Sequence, residues 1–159
     1  MYSFAQLLHI QEFPADSVII SQYDDGDGLY IVENGFFAGF VKHNYEKQWI
    51  KEKLSQGSCF GEIAYFLETR RTATIIAESV ASLLFLSKDY KKLFMTNCPL
   101  IYSTIRRQIY KYTDDAITKK KRLIKMSVDY FYKIDNDALT ELAYQLIEQR
   151  FVKGNVIYN

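Results

Sequence analysis

The stretch from Phe60 to Ile75, FGEIAYFLETRRTATI, places a glycine, an acid directly after it, and an arginine pair nine and ten positions beyond the glycine. Gly61 lets a ligand approach the backbone closely, and the free N–H groups of a helix starting there, from about Ile63 and Ala64, form a ready anion site. Arg71 adds a planar, permanently charged fork that can grip a phosphate from the opposite side. Glu62 is out of place against a bare phosphate. A carboxylate is a pure acceptor, so it fits a ligand that also offers hydroxyls, as a ribose does. One anion clamp, one hydroxyl acceptor and apolar surroundings describe a sugar phosphate or a nucleotide. Taken singly, Arg71 reads more readily as a surface ion-pair partner and Glu62 as a helix N-terminal charge, and it is the whole set in register that favours a ligand; Arg70 is expected to stay solvated.

Other chemistries find less support. The two cysteines, Cys59 and Cys98, and the two histidines, His9 and His43, carry no metal-ligand spacing, so both thiols are expected free and neither zinc nor Cys/His catalysis is expected. The run Asp24-Asp25-Gly26-Asp27-Gly28 lacks the spacing and terminal Glu of a calcium loop and reads as a turn. No apolar run approaches a membrane span, and the opening residues lack signal-peptide character, so a soluble cytoplasmic protein is expected. The chain has 159 residues and a net charge of +1, which allows one domain plus part of another and gives no overall case for nucleic acid. That balance is uneven along the chain: residues 96–125 hold eight basic and two acidic groups, while residues 1–95 hold nine against twelve.

The elements that must position the site come in two kinds. Residues 18–21, LYIVE, FFAGFVK, Gln48 to Leu54, Thr72 to Ser79 and ASLLFLS are the six clearest of about seven short strands broken by turn chemistry, a sandwich, jelly-roll or small-barrel pattern. Asn34-Gly35 between two apolar runs predicts a tight hairpin. Cys59 to Arg70 interrupts the strands with helical pattern. From Ser87, a plausible N-cap, the pattern turns helical: Pro99 marks a break or first turn, and Ile101, Ile105, Ile109 and Tyr112 recur at helical spacing. The basic set Arg106-Arg107, Lys111 and Lys119 to Arg122 lies here, either as a solvated face or as a docking surface for an acidic partner. After Met126, Asn136 is a possible N-cap for a helix burying Leu139, Leu142, Ala143, Leu146 and Ile147, and RFVKGNVIYN reads as a final strand.

The Phe60 to Thr74 stretch resembles the phosphate-binding cassette of the cyclic nucleotide-binding domain family: Phe60, Gly61, Glu62, Ile63, Ala64, Arg71, Thr72, Ala73 and Thr74 match in register. FPADSVIISQYDDGDGLYIVENG and LSQGSCFGE are similar to that family's opening strands and its approach to the cassette. The resemblance implies a mainly β fold with α, a β-roll or jelly-roll at about 10–87 with hinge and C-terminal helices over 88–125, so that 1–125 form one domain. Residues 126–159 resemble the incomplete start of a second, a tandem arrangement like that of the regulatory parts of cAMP- and cGMP-dependent protein kinases.

By the same resemblance the ligand is a cyclic nucleotide, cGMP or cAMP, with no metal. Its site would be Gly61, Glu62, Ile63, Ala64, Arg71, Thr72 and Ala73: Arg71 on the exocyclic phosphate oxygens, Glu62 on the ribose 2′-hydroxyl, backbone amides completing the cradle. Thr72 would bias the site toward cGMP, but a neutral hydrogen bond of about 0.5 to 1.5 kcal/mol biases selectivity without fixing it. Three departures from the pattern stand out: Tyr23 where the family has a turn glycine, Tyr65 where a smaller aliphatic is usual, and Asp137 where tandem members place the aromatic that caps the base. Tyr110, Tyr112, Tyr130, Phe131 or Tyr132 are the substitutes for that cap. The implied protein is a regulatory sensor and not an enzyme, since no kinase Gly-rich or catalytic loop is present. Its ligand would act through the hinge, Ser87 to Pro99, on a protein partner held by a basic helix at 100–125, with no nucleic acid and no membrane span involved. The alternative is a scaffold that keeps the fold without binding nucleotide.

Overall fold

The computed structural model describes residues 3–42, 49–112, 115–127, 131, 133–147, 149 and 151–157; His43, Gln48, Tyr130 and Tyr132 lie outside the described residues. The strands are β1 (His9–Phe13), β2 (Val18–Ile20), β3 (Gly28–Asn34), β4 (Phe37–Lys42), β5 (Trp49–Leu54), β6 (Cys59–Phe60), β7 (Thr74–Ala77) and β8 (Ala81–Ser87). The α-helices are α1 (Glu62–Leu67), α2 (Lys91–Asn97), α3 (Pro99–Arg106), α4 (Asp115–Ser127) and α5 (Asn136–Gln145). The chain divides into two compact units, Met1–Thr113 and Asp114–Asn159.

In the first unit the strands form two four-stranded antiparallel sheets, β1-β8-β3-β6 and β2-β7-β4-β5. Tyr30, Val32 and Leu83 from one sheet meet Phe37, Ile75 and Ala77 from the other in a shared core, with the Tyr30 and Phe60 rings stacked at 5.2 Å. This is the expected β-roll. The sequence pattern missed β1 and β6, because HIQEF has little apolar alternation and two residues at Cys59–Phe60 are too few to show a period.

The Asn34-Gly35 expectation is corrected. β3 and β4 belong to different sheets, so the dipeptide turns a corner instead of closing a hairpin. Only Gly35 of the pair has positive φ, at 93°, whereas a type I′ turn requires it at both positions. The backbone groups of Phe36 are met from the neighbouring corner: its N–H donates to Ser79 Oγ at 3.1 Å, and its carbonyl accepts from Glu78 N at 2.8 Å. β7 and β8 turn the same corner beside it, pairing with β4 and β3 respectively. Long-range pairing decided what local turn chemistry left open.

Beyond β8, the Ser87 hydroxyl accepts from Asp89 N and starts a 3-10 turn at Lys88–Tyr90 that runs into α2, and Pro99 opens α3. The single basic helix expected over 100–125 is also corrected. α3 ends at Arg106, a 3-10 segment covers Arg107–Lys111, Tyr112 is extended, and α4 begins only at Asp115, in the second unit.

The second unit, by itself, packs α4 on α5 through Ile117, Ile124, Leu139 and Ala143. The α5 N-cap is Asp135, whose carboxylate accepts from Asp137 N and Ala138 N, one residue before the expected Asn136. Leu146 and Ile147 fall past the helix end and are exposed. Residues 151–157 form no strand; Asn155 N donates to the Val152 carbonyl and Asn155 Oδ1 accepts from Val152 N, making a tight turn with Gly154 at φ 97°. A strand needs a partner edge, and none pairs with these residues in the described chain.

Candidate functional site

Two chain segments build the site, the cassette around α1 and the loop between β2 and β3. Gly61 is the α1 N-cap at φ 80°, a left-handed conformation that glycine alone adopts cheaply. It supplies no capping side chain, so the first-turn amides of α1 have no side-chain cap. A Cβ at this position would run into the Arg71 guanidinium. Glycine is therefore required twice here, by backbone conformation and by the approach of the arginine.

Arg71 is 2% exposed. Its Nη1 donates to the Gly61 carbonyl at 3.0 Å, its Nη2 donates to Asp27 Oδ1 at 2.6 Å, and the guanidinium lies 5.7 Å from the Tyr30 ring centre. The backbone fixes it as firmly: Arg71 N donates to the Asp24 carbonyl and Tyr23 N donates to the Arg71 carbonyl, both at 2.8 Å. A guanidinium carries five N–H groups, and these two side-chain contacts leave three for a ligand. Asp27 is 66% exposed at its side chain, so the Arg71–Asp27 pair opens onto solvent on the aspartate side only. The same carboxylate, after burial, raises the Tyr30 hydroxyl above its ordinary pKa.

Glu62 is buried to the same degree as Arg71, and its Oε1 has no hydrogen-bond partner among the described residues. Burial pushes its carboxyl pKa up, opposed first by a hydrogen bond from the Tyr112 side chain and then by its own backbone amide; Glu52 raises it and Arg71 lowers it by smaller amounts. The Tyr112 hydroxyl is raised in turn by burial and by Glu62. Ile63 and Ala64 are buried, and Gly26 approaches Ala64 so closely that a Cβ at 26 would lie 2.8 Å from the Ala64 Cβ. Thr72 is half-buried, and Ala73 packs against the β-roll core.

The structure thus brings Gly61, Glu62, Ile63, Ala64 and Arg71 to one end of α1, with Thr72 and Ala73 continuing from Arg71 toward β7. Arg70 stays exposed, in a loose 3.9 Å ion pair with Asp25. No group of three or more potential metal ligands occurs among the described residues. Tyr112, one of the residues named for the cap, stands against Glu62, whereas Phe131 packs into the core of the second unit. Tyr65 turns toward the helices: its ring meets Phe66 edge-on at 5.1 Å and lies under the Lys91 ammonium at 6.0 Å. Asp27 was legible only as turn chemistry, because nothing local links it to an arginine 44 positions away.

A family model described as cyclic nucleotide-binding domain matches residues 10–97. Over 96 residues the chain is 29% identical to the cAMP-activated global transcriptional regulator of Salmonella typhimurium, covering 59% of this chain and 46% of that protein. Over 84 residues it is 30% identical to the cAMP-dependent protein kinase regulatory subunit of Dictyostelium discoideum, covering 52% and 26%. The regulatory domain of Toxoplasma gondii PKA, solved with cAMP, superposes with a TM-score of 0.59 at 25% identity, covering 67% of this chain and 40% of that one. The chain spans less than half the length of these relatives. A kinase setting is therefore one of two among them, the other being transcriptional regulation.

Proposed function

The chain belongs to the cyclic nucleotide-binding domain family, and on that premise we propose that it binds a cyclic nucleotide at the α1 end of its β-roll and serves as a non-catalytic sensing module of a cytoplasmic signalling protein. One observation carries the reading: Arg71 and Glu62, of opposite charge, are each 2% exposed beside Gly61, and a carboxyl oxygen of Glu62 is left without a donor. Leaving a buried carboxyl oxygen without a donor costs about 1–3 kcal/mol, a cost repaid when a ligand supplies the missing partner. A cyclic phosphate takes the remaining donors of Arg71 and the uncapped amides of Ile63 and Ala64, and a ribose hydroxyl donates to Glu62. Tyr112, beside Glu62, is the residue we assign to cover the base. Thr72 is the position we assign to the choice between cGMP and cAMP.

The kinase-type setting rests on the regulatory-subunit relative, and the reading of 126–159 as the start of a second such domain rests on the sequence resemblance alone. The partner surface is narrower than a helix over 100–125. Within α4, Lys120 already donates to the Leu146 carbonyl at 2.7 Å and Lys121 to Thr140 Oγ1 at 3.0 Å. Arg122 and Lys125 are the α4 cations we assign to an acidic protein partner.

The scaffold reading draws on the Arg71–Asp27 pair, which already neutralises the arginine within the chain. Calorimetric titration with cAMP and with cGMP separates the two. The sensor reading expects saturable binding by the wild type and its loss in Arg71→Ala; no heat and no thermal stabilisation with either nucleotide leaves the scaffold.

A further inference from the structure

One acidic side chain belongs to the inner face of the β-roll. Directly opposed residues of an antiparallel sheet share a face, and β4 lies between β5 and β7: Phe37 stands opposite Leu54 and Ala77, and Gly39 opposite Glu52 and Ile75. The first of these rows is core, with Phe37, Leu54 and Ala77 all buried. The second lies two residues along each strand and so faces the same way. A Cβ at Gly39 would meet Ile75 Cδ1 at 3.1 Å and Glu52 Cβ at 3.7 Å, which places Glu52 on that face beside buried Ile75. Glu52 is nevertheless exposed, so the roll is open at this row, where Gly39 contributes no side chain to fill it. The opening adjoins the cassette. Ala73, two residues before Ile75, packs against the same core. The Glu52 charge is also felt at Glu62 and at Tyr112: burial dominates the upward pKa shifts of both groups, and Glu52 adds to each.

We propose that Glu52 is a specificity-determining residue that reads the base of the bound cyclic nucleotide and selects guanine over adenine. The proposal rests on the cyclic nucleotide reading above and names which nucleotide the same site takes. In that reading Arg71 takes the phosphate and Glu62 the ribose, so the base is the part left to be recognised. Besides Arg71, Glu52 is the charged side chain whose field reaches Glu62. A carboxylate only accepts hydrogen bonds. Guanine offers it two adjacent donors, N1–H and the exocyclic N2 amine, a pair that suits two carboxylate oxygens. Adenine offers one, the N6 amine, beside the N1 lone pair, which a carboxylate repels. The preference thus has an attractive and a repulsive part, and both add to discrimination. Thr72 differs in kind, since a hydroxyl donates as well as accepts and can serve either base. No hydrogen bond or ion pair among the described residues engages the Glu52 carboxylate, which leaves both oxygens for the ligand.

The test is calorimetric titration of the full chain with cGMP, cAMP and cyclic IMP, which keeps the N1–H of guanine and lacks its N2 amine. A two-point base contact discriminates by roughly tenfold or more, so the wild type should bind cGMP about tenfold or more tightly than cAMP, with cyclic IMP between them. Glu52 is exposed, so its replacement leaves the fold standing. Glu52→Gln presents one acceptor and one donor, the pair that matches adenine, and should lower the cGMP-to-cAMP preference by about tenfold, chiefly through a gain in cAMP affinity. Glu52→Ala removes the attraction and the repulsion together and should lower the preference by roughly fivefold or more. A glutamate that only supports the strand would move the affinities of both nucleotides together and leave their ratio unchanged. The proposal is overturned by a wild type that binds the two equally or prefers cAMP, by a wild-type ratio in Glu52→Gln and Glu52→Ala, or by cyclic IMP bound more tightly than cGMP. No binding of any of the three nucleotides by the wild type overturns the function reading itself, and this proposal with it.

Discussion

Replacing Glu62 by Gln should stabilise the protein at neutral and alkaline pH while weakening its ligand. Glu62 is buried, one of its carboxyl oxygens lacks a partner, and burial raises its pKa above the ordinary 4.5 despite the Tyr112 hydrogen bond. A carboxyl whose pKa is higher folded than unfolded holds its proton more tightly in the native state. Its favourable contribution is complete below the unfolded value and is lost as pH rises through the folded one. Above its folded-state pKa the native protein thus bears a buried carboxylate with one oxygen unpaired. A neutral amide of the same shape removes that charge, and leaving a buried polar group unpaired costs about 1–3 kcal/mol, more when charged, so a net gain of about 1 kcal/mol is expected. For a unit of this size that corresponds to a rise of roughly 4 °C in Tm. Urea or thermal unfolding of both proteins between pH 4 and 8 should show a difference that is largest at pH 8 and closes as the pH falls toward 4.5. Cyclic nucleotide affinity should move the other way. Exchanging a charge-assisted hydrogen bond of about 1.5–3 kcal/mol for a neutral one of about 0.5–1.5 weakens binding by roughly tenfold. A Glu62→Gln variant less stable than the wild type at pH 8, or a difference that does not change with pH, refutes this reasoning.

Gly61→Ala places a Cβ against the Arg71 guanidinium at a positive φ, so calorimetry should find binding lost, with a stability cost of about 1–2 kcal/mol from the left-handed backbone alone. Tyr23 also has positive φ, at 78°, and its hydroxyl makes only a 3.4 Å exposed contact to the Lys42 carbonyl. Tyr23→Gly relieves about 1–2 kcal/mol of strain but adds a glycine entropy cost of about 0.5–1 kcal/mol and gives up a half-exposed ring, so thermal unfolding should show Tm moving by no more than roughly 4 °C. Phe94 is fully buried between the rings of Phe4 and Tyr102, and Phe94→Ala should cost about 3–5 kcal/mol in denaturant unfolding.

Much of the fold was readable because strand and helix periodicities are local. β2, β3, β4, β5, β7 and β8 each lie within runs whose apolar and β-branched content marks them, and Ser87 and Pro99 mark the change to helix. The cassette was readable for a different reason: a short helix and an arginine ten residues on form a nearly contiguous unit, so spacing alone constrains its geometry. β6, with two residues, shows no period at all. The break at Tyr112 left no mark either, since a regular apolar spacing runs through Ile105 and Ile109 to it while the backbone there is extended. The same holds for the turn at Val152 to Asn155, whose flanking apolar residues look like a strand until partners are sought.

By itself, the sequence determined residue chemistry and local backbone: a glycine where φ must be positive, an acid and an arginine at cassette spacing, and strands that must bury one face. Which strands pair was decided only in three dimensions, since Asn34-Gly35 serves a hairpin and a corner equally well until β7 and β8 turn the same corner beside it. The electrostatic state of the site was likewise decided by burial and by partners far away in the chain. Asp27 reaches Arg71 across 44 positions, Lys91 reaches Phe66 across 25, and Tyr112 comes up against Glu62 from the far end of the unit. Spacing along a chain measures reach, whereas desolvation and pairing depend on what folds over a group, and only the folded chain contains that.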